Sequence, residues 1–304
     1  MWGKGKSVAL IALVVAAVVI GIVALVQGSD DSTTTVSPAA VANAAERTSR
    51  VPGVRYSMTG EMEVPGAGKV PFRGTGASDI KGRRSSAAID MSAFAKEAPP
   101  ESGANDPDKW QMEVQYDGRF MYMKFPLLES QLGGKSWVKF DLVAVANALG
   151  IDESLIRSDQ QQGTDPTATL RYLRATSDKV ERVGAEQVRG VQTTHYRATV
   201  DLNKYPATVP APDRAVAQRS VKRLIELSGD DEMDMEVWVG RDRLIHRMKW
   251  EQSMKPPGSN QVLRGTYTND FYDFGAKVKV NAPPEDETKD VTDETVAQLK
   301  NQQP

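Results

Sequence analysis

The stretch Asp165–Ser228, DPTATLRYLRATSDKVERVGAEQVRGVQTTHYRATVDLNKYPATVPAPDRAVAQRSVKRLIELS, reads as helix, hairpin, helix, and it decides the fold class. Asp165-Pro166 is a helix start: the carboxylate accepts from free first-turn amides, and proline at the first helical position forfeits no hydrogen bond. Leu170 and Leu173 follow three residues apart, and Thr176-Ser177-Asp178 reads as the helix end. Two strand-like runs come next, Val180–Val188 and Val191–Leu202, turned at Arg189-Gly190. A second helix over Asp213–Leu227 puts Ala217, Val221, Leu224 and Ile225 on one face. Arg214, Arg219, Lys222 and Arg223 take the other, and Ser228-Gly229 stops it. Strands precede this insert and strands follow it. The pattern is that of an α+β domain, an antiparallel sheet with helices gathered on one face.

Outward from the insert, the alternation is plainest in Val54–Val64. Val54, Tyr56, Met58, Gly60, Met62 and Val64 share one face, and Arg55, Ser57, Thr59, Glu61 and Glu63 the other. Further strands are read over Lys69–Ile80, Arg83–Phe94, Trp110–Tyr116, Arg119–Phe125 and Ser136–Asp141. Asp141 caps a short helix, LVAVANAL. Beyond the insert, Met233–Val239 and Leu244–Met254 form a hairpin, and Gln261–Phe274 is the last long strand. About ten strands are expected, with no internal repeat. A helix after Ser37-Pro38 carries Val41, Ala44, Ala45 and Thr48 along one stripe.

The N-terminal region is of a different kind. Ser7–Val26 is twenty residues without a charge, long enough to cross the ~30 Å hydrocarbon core of a bilayer as a helix. A cleaved signal peptide is the competing reading, but its apolar run is shorter, about 7–15 residues, and Leu25-Val26-Gln27 is a poor cleavage site. Lys4 and Lys6 on one side and Asp30-Asp31 on the other place residues 1–6 in the cytoplasm and the remainder outside. The expected organisation is a cytoplasmic terminus (1–6), a transmembrane anchor (7–26), a polar tether (27–36), one domain (37–284) and a charged flexible tail (285–304).

Composition closes several routes to function. There is no cysteine, so disulfides, thiol catalysis, cysteine-held metals and a lipid-modified N-terminal cysteine are all excluded. Two histidines, His195 and His246, do not make a histidine-rich metal site. The chain beyond the anchor has 36 basic against 40 acidic residues, no footprint for nucleic acid. Gly134-Lys135-Ser136 lacks the glycine five positions earlier that a phosphate-binding loop needs, since Glu129 stands there. No Gly-x-Ser-x-Gly elbow or cofactor motif occurs. His195 reads as an exposed strand histidine, and His246 as a core or cavity-edge residue. The expectation is a protein that is not an enzyme.

One bias is positive. Ten methionines follow Met1, all in predicted strands and several on the apolar face. Methionine is flexible and polarisable, and it fills irregular gaps or lines sites for variable apolar ligands. Ordinary core packing and a methionine-lined cavity both fit this bias.

The segments VRYSMTG (Val54–Gly60), SWVKFDL (Ser136–Leu142), YLRATSDKVERVGAEQVRGVQTTHYRATVDL (Tyr172–Leu202) and FYDFG (Phe271–Gly275) resemble the LppX/LprAFG-type lipoproteins of actinobacteria, within the LolA/LolB-like superfamily. The resemblance runs from Ala39 to Pro284. It implies a curved antiparallel half-barrel with helices packed on its concave face, and between them a hydrophobic cavity for acyl chains of a lipid or glycolipid. On the strand faces above, that cavity would be lined by Tyr56, Met58, Met62, Phe72, Ile89 and Met112. Val114, Met121, Met123, His246, Met248 and Trp250 would complete the lining. The chain departs from the family in lacking the lipobox cysteine, in whose place Ser7–Val26 would be the anchor. The expected function is lipid binding for transport or sensing at the cell envelope. The alternative is a non-catalytic envelope interaction or sensor domain with a self-filled core, bound to an envelope protein partner.

Overall fold

Residues 39–64, 68–98, 104–148, 176–208, 211, 214–254 and 263–301 are described by the computed structural model. Among them twelve strands form one sheet. They are β1 (Val54–Val64), β2 (Gly68–Asp79), β3 (Arg84–Asp90), β4 (Gln111–Tyr116), β5 (Phe120–Lys124), β6 (Trp137–Asp141), β7 (Thr176–Val188), β8 (Val191–Asp201), β9 (Glu232–Gly240), β10 (Ile245–Met254), β11 (Leu263–Tyr272) and β12 (Thr288–Asp290). Their order across the sheet is β12-β6-β5-β4-β3-β2-β1-β11-β10-β9-β8-β7. The longer helices are α1 (Ala39–Thr48), α2 (Leu142–Ala148), α3 (Arg214–Ser228) and α4 (Thr292–Asn301).

Local chemistry accounts for most of these elements. The β7–β8 hairpin turns on Arg189 and Gly190, both at positive φ, which is the backbone a two-residue turn needs to match strand twist. Asp141 Oδ1 accepts from the Val143 and Ala144 amides and so caps α2 as its sequence suggests. The α1 stripe of Val41, Ala44, Ala45 and Thr48 is buried. Burying Val41 alone is worth roughly 1.5–3 kcal/mol. Thr48 ties this helix to the sheet: its hydroxyl donates to Ala44 O (2.8 Å) and accepts from the Ile245 amide (2.9 Å). In α3, Ala217 and Val221 are buried while Arg214, Arg219 and Lys222 face outward.

Helices α1 and α3 pack on the same sheet face. Val41, Ala44, Ala217 and Val221 share one core cluster with Val54, Tyr56, Met235, Met248 and Phe271. At the other flank of that face, Phe125, Leu128 and Leu132 close over Met112, Val114, Met121, Met123 and Phe140.

The structure corrects the sequence reading in five places. The sheet is mixed, because β12 runs parallel to β6. Thr176-Ser177-Asp178, read as a helix end, opens strand β7, since Thr176 pairs with Val200. The helix expected over Asp165–Leu173 and the anchor at Ser7–Val26 lie outside the described residues. Among those described, no helix is long and apolar enough to cross a membrane. Met91 leaves the strand and caps a 3-10 turn (Ser92–Lys96), because Asp90 bonds the Ser92 amide and ends β3. Trp110 likewise ends a 3-10 turn begun at Asp106-Pro107, whose aspartate caps it. Finally, residues 285–301, expected as a flexible tail, contain β12 and α4. Leu299 packs with Val145 and Ala148 of α2, and Val291 joins the Met112–Phe140 cluster.

Candidate functional site

Strand register places the apolar face of the sheet in rows that cross many strands. One row is Val237–Met248–Asn269–Met58–Gly74–Ile89–Met112, each residue the direct partner of the next from β9 to β4. A second is Met235–Trp250–Tyr267–Gly60–Phe72. A third is Phe271–Tyr56–Gly76–Ala87–Val114–Met123–Val138. Side chains on a strand alternate faces, so residues of one row and of the rows two positions away look the same way. The rows are apolar with one exception, Asn269.

The candidate lining residues separate into packed flanks and a less covered centre. Tyr56 and Met248 are fully buried beneath α1 and α3. Met112, Val114, Met121 and Met123 are buried in the opposite flank. Between them Phe72 is buried, and Met58, Met62, Ile89 and Trp250 are only partly so. Ile89 touches all three clusters, and Met58 two of them, so the centre is continuous with both flanks. Aromatic rings floor it. Tyr267 stacks on Trp250 (centroids 5.4 Å, planes 13° apart) and tilts against Phe72 (5.5 Å). The Phe72 ring lies over Gly60, its partner across the ladder, where a Cβ would collide with it.

His246 stands apart from this face. The β9–β10 register shifts between Ile245 and Arg247, and the bulge takes His246 out of the alternation that its neighbours keep. Its ring bonds Asp242 (3.0 Å to Oδ2) and meets Phe274 edge-on. It pins the β9–β10 turn rather than joining Met248 and Trp250.

His195 also departs from its expectation of exposure. It is 5% exposed, on the other face of the sheet, stacked on its register partner Trp238 at 4.0 Å. Glu186 bridges the pair, accepting from Trp238 Nε1 (2.8 Å) and standing 3.0 Å from His195 Nδ1. Glu236 Oε2 lies 2.8 Å from His195 Nε2, at ion-pair distance but off line for a hydrogen bond. Glu236 also takes a bond from Lys249 Nζ (2.9 Å). The His195 contact first, and Lys249 after it, hold the Glu236 carboxyl down to about 2 against the opposing effect of burial. Beside this cluster Arg247 clasps Asp270 at 2.5 and 2.8 Å. Every partner here is a side chain of the sheet itself, so the cluster fastens β7, β8, β9 and β10 together.

A depression of about 560 Å3 also opens on this other face. Its walls combine Thr59, Glu61, Arg73, Asp90, Thr266 and Thr268 with Gly60, Pro71, Phe72 and Ala93, so the lining is mixed, and an Arg73–Asp90 ion pair lies along it. Among the described residues no group of three or more His, Asp or Glu side chains is placed to hold a metal.

Sequence reasoning missed Tyr267 and Asn269. Both sit on the alternation of Leu263–Tyr272, in phase with Phe271, and that phase was the available signal.

No known family model matches the chain. It is similar to an uncharacterized 31.2 kDa protein of Streptomyces griseus, 29% identical over 164 residues, 54% of this chain and 50% of that protein. It is also similar to a proposed lipoprotein of Streptomyces coelicolor, 25% identical over 185 residues, 59% of this chain and 51% of that protein. The chain thus spans about half the length of the curated relatives it matches. Among solved structures it is similar to the lipoprotein LppX of Mycobacterium tuberculosis, with TM-score 0.46 and 12% identity over 80% of this chain and 97% of that one. LprF of Mycobacterium bovis gives TM-score 0.41 and 14% identity, over 82% and 99%.

Proposed function

We propose that the protein holds the acyl chains of a lipid or glycolipid against the apolar face of its sheet, without catalysis, for transport or sensing at the cell envelope. The observation that carries this reading is the partly buried centre of Met58, Met62, Ile89, Trp250 and Tyr267 between two packed flanks. A fold that only packed itself would bury this centre as fully as it buries Tyr56 and Met248. Affinity would come from removing chain methylenes from water, at roughly 0.8 kcal/mol each. The reading places residues 7–26 in the membrane and the domain outside, with the lipid reached from the bilayer surface. The lipoprotein designation of the Streptomyces coelicolor relative is in keeping with an envelope location.

The self-filled alternative has support of its own at the flanks, where Met112, Val114, Met121 and Met123 are packed core. The two readings differ over the centre. Full-length protein purified natively and extracted into organic solvent is expected to yield a stoichiometric lipid by mass spectrometry. Extracts with no lipid above the level of a mock purification would leave the self-filled domain as the reading.

A further inference from the structure

The turns at one end of the sheet are basic. Strand register brings four of them together there: β2–β3, β4–β5, β7–β8 and β9–β10. Between them they carry Lys81, Arg83, Arg119, Arg189, Arg241 and Arg243, all exposed, against Asp117 and Asp242. The acids nearby are engaged within the fold. Asp79 accepts from the Gly82 amide, Asp117 accepts from the Phe120 amide, and Asp242 meets the His246 ring. Asp141 pairs with Arg119, and Asp273 with Arg55. Among the described residues no ion pair engages Lys81, Arg189, Arg241 or Arg243.

Three of these arginines stand on backbone that disfavours them. Arg83, Arg189 and Arg243 have φ of 55°, 50° and 62°, a left-handed form that glycine adopts without strain. Turn geometry therefore does not account for the guanidinium groups. The opposite end of the sheet is acidic. Asp230, Asp231 and Glu232 stand there, with Asp231 O accepting from the Leu202 amide at the end of β8. Glu285-Asp286-Glu287 joins them at that end, where Glu287 O accepts from the Ser136 amide just before β6. The domain is thus polar along its strands although its net charge is small.

The length of the tether gives this polarity something to act on. On the anchored lipid-binding reading, the membrane span ends at Val26, and the thirteen residue steps from there to Ala39 reach at most ~47 Å. Helix α1 then runs ~14 Å to Thr48, whose hydroxyl meets the Ile245 amide beside the basic turns. A reach of that size lets either end of the domain touch the bilayer, and charge selects between them. A flat layer of headgroups also suits charges spread over four turns.

Resting on that reading, we propose that the basic end of the sheet docks on anionic lipid headgroups of the membrane that holds the anchor. Each Lys or Arg near such a surface is worth about five-fold in binding, and the attraction decays within a Debye length.

The chain has no cysteine, so a single introduced one takes a fluorophore uniquely. The full chain is reconstituted in nanodiscs of phosphatidylcholine, alone or mixed with phosphatidylglycerol, with a trace of a lipid whose headgroup carries a quencher. The label is placed by Gln192→Cys beside the basic turns, or by Ser130→Cys at the opposite end. With phosphatidylglycerol present, position 192 should be quenched and position 130 should not. The quenching should fade in phosphatidylcholine alone and in ~1 M salt, where the Debye length is ~3 Å. Arg83→Gly combined with Arg243→Gly should lower the docked-to-free ratio about twenty-five-fold. The melting temperature should hold, because glycine suits both backbones. Equal quenching at the two positions, or quenching at 192 indifferent to phosphatidylglycerol, salt and the substitutions, overturns docking and leaves the anchored reading standing. A label at 192 that stays unquenched in every disc does the same and returns the basic end to an acidic protein partner. A chain that does not stay with the disc overturns the anchored reading and docking with it.

Discussion

Gly76→Ala is a one-atom-group change whose cost the structure sets. A Cβ at Gly76 would lie 2.5 Å from the Ser86 carbonyl oxygen and nearer still to the ring of Tyr56, where ordinary contact begins near 3.4 Å. Tyr56 is fully buried and cannot swing into solvent, and its hydroxyl reaches back to Ser86 O at 3.4 Å. Relief requires the ring or strand β3 to move by about an ångström within a packed core, and overpacking of this kind costs about 1–3 kcal/mol. Taking about 2 kcal/mol, the melting temperature should fall by about 4–8 °C for a domain of this size. Because the nearest clash is with one identifiable ring, part of the cost should be coupled to it. Tyr56→Leu alone leaves a void and destabilises by about 2–4 kcal/mol, while the double variant should recover at least about 1 kcal/mol relative to the sum. Gly184→Ala is the control: a Cβ there meets nothing within 4 Å, so its effect should stay within about 0.5 kcal/mol. Equilibrium urea unfolding of the parent and the four variants reads the free energies, and thermal melts read the shift in melting temperature. Additive costs at positions 56 and 76, or a Gly76→Ala protein more stable than the parent, would refute the reasoning.

Two further outcomes test other parts of the molecule. The Glu236 carboxyl has a folded value of about 2 against an ordinary 4.5, so its contribution to stability is complete above pH 4.5 and is lost as pH falls from there through about 2. Urea midpoints measured across that range should fall more steeply for the parent than for Glu236→Gln, and equal slopes would show that the His195–Lys249 contacts are energetically idle. Leu299→Ala should cost about 2 kcal/mol or more, because α4 packs on α2 through this buried side chain; a change under about 0.5 kcal/mol would return residues 285–301 to the status of a tail.

What the sequence made legible was whatever depends on short-range pattern. The α1 stripe from Val41 to Thr48, the Arg189-Gly190 turn, the Asp141 cap and the alternation of Val54–Val64 each follow from residues a few positions apart. What it hid depends on partners far away. Strand β12 is three residues, Thr288–Asp290, with no alternation to announce it, and it exists because β6 offers a free edge. His246 lost its place on the Met248 face to one bulge, because a single extra residue reverses every orientation behind it. His195 looked exposed because Thr193 and Thr199 share its face, and nothing local shows that Trp238 covers it. The methionines marked the right face but not the division within it. Whether Met112 is packed and Met62 partly open depends on which segments fold over each.

The strand order has a consequence for how the chain reaches this structure. From β1 to β6 every strand lies beside its sequence neighbour, and so does every strand from β7 to β11. Each series is a meander of local hairpins, able to zip up with little loss of loop entropy. The two series meet only where β1 pairs with β11, a ladder whose Arg55–Asp273 ion pair joins residues 218 positions apart in the chain. Together with the β12–β6 pairing, that ladder carries the long-range loop-closure cost of the fold, and Asn269 and Tyr267 lie on it with Met58 and Gly60. Two half-sheets formed early and independently, with the candidate site created only when they are joined, is the order of events that this topology favours.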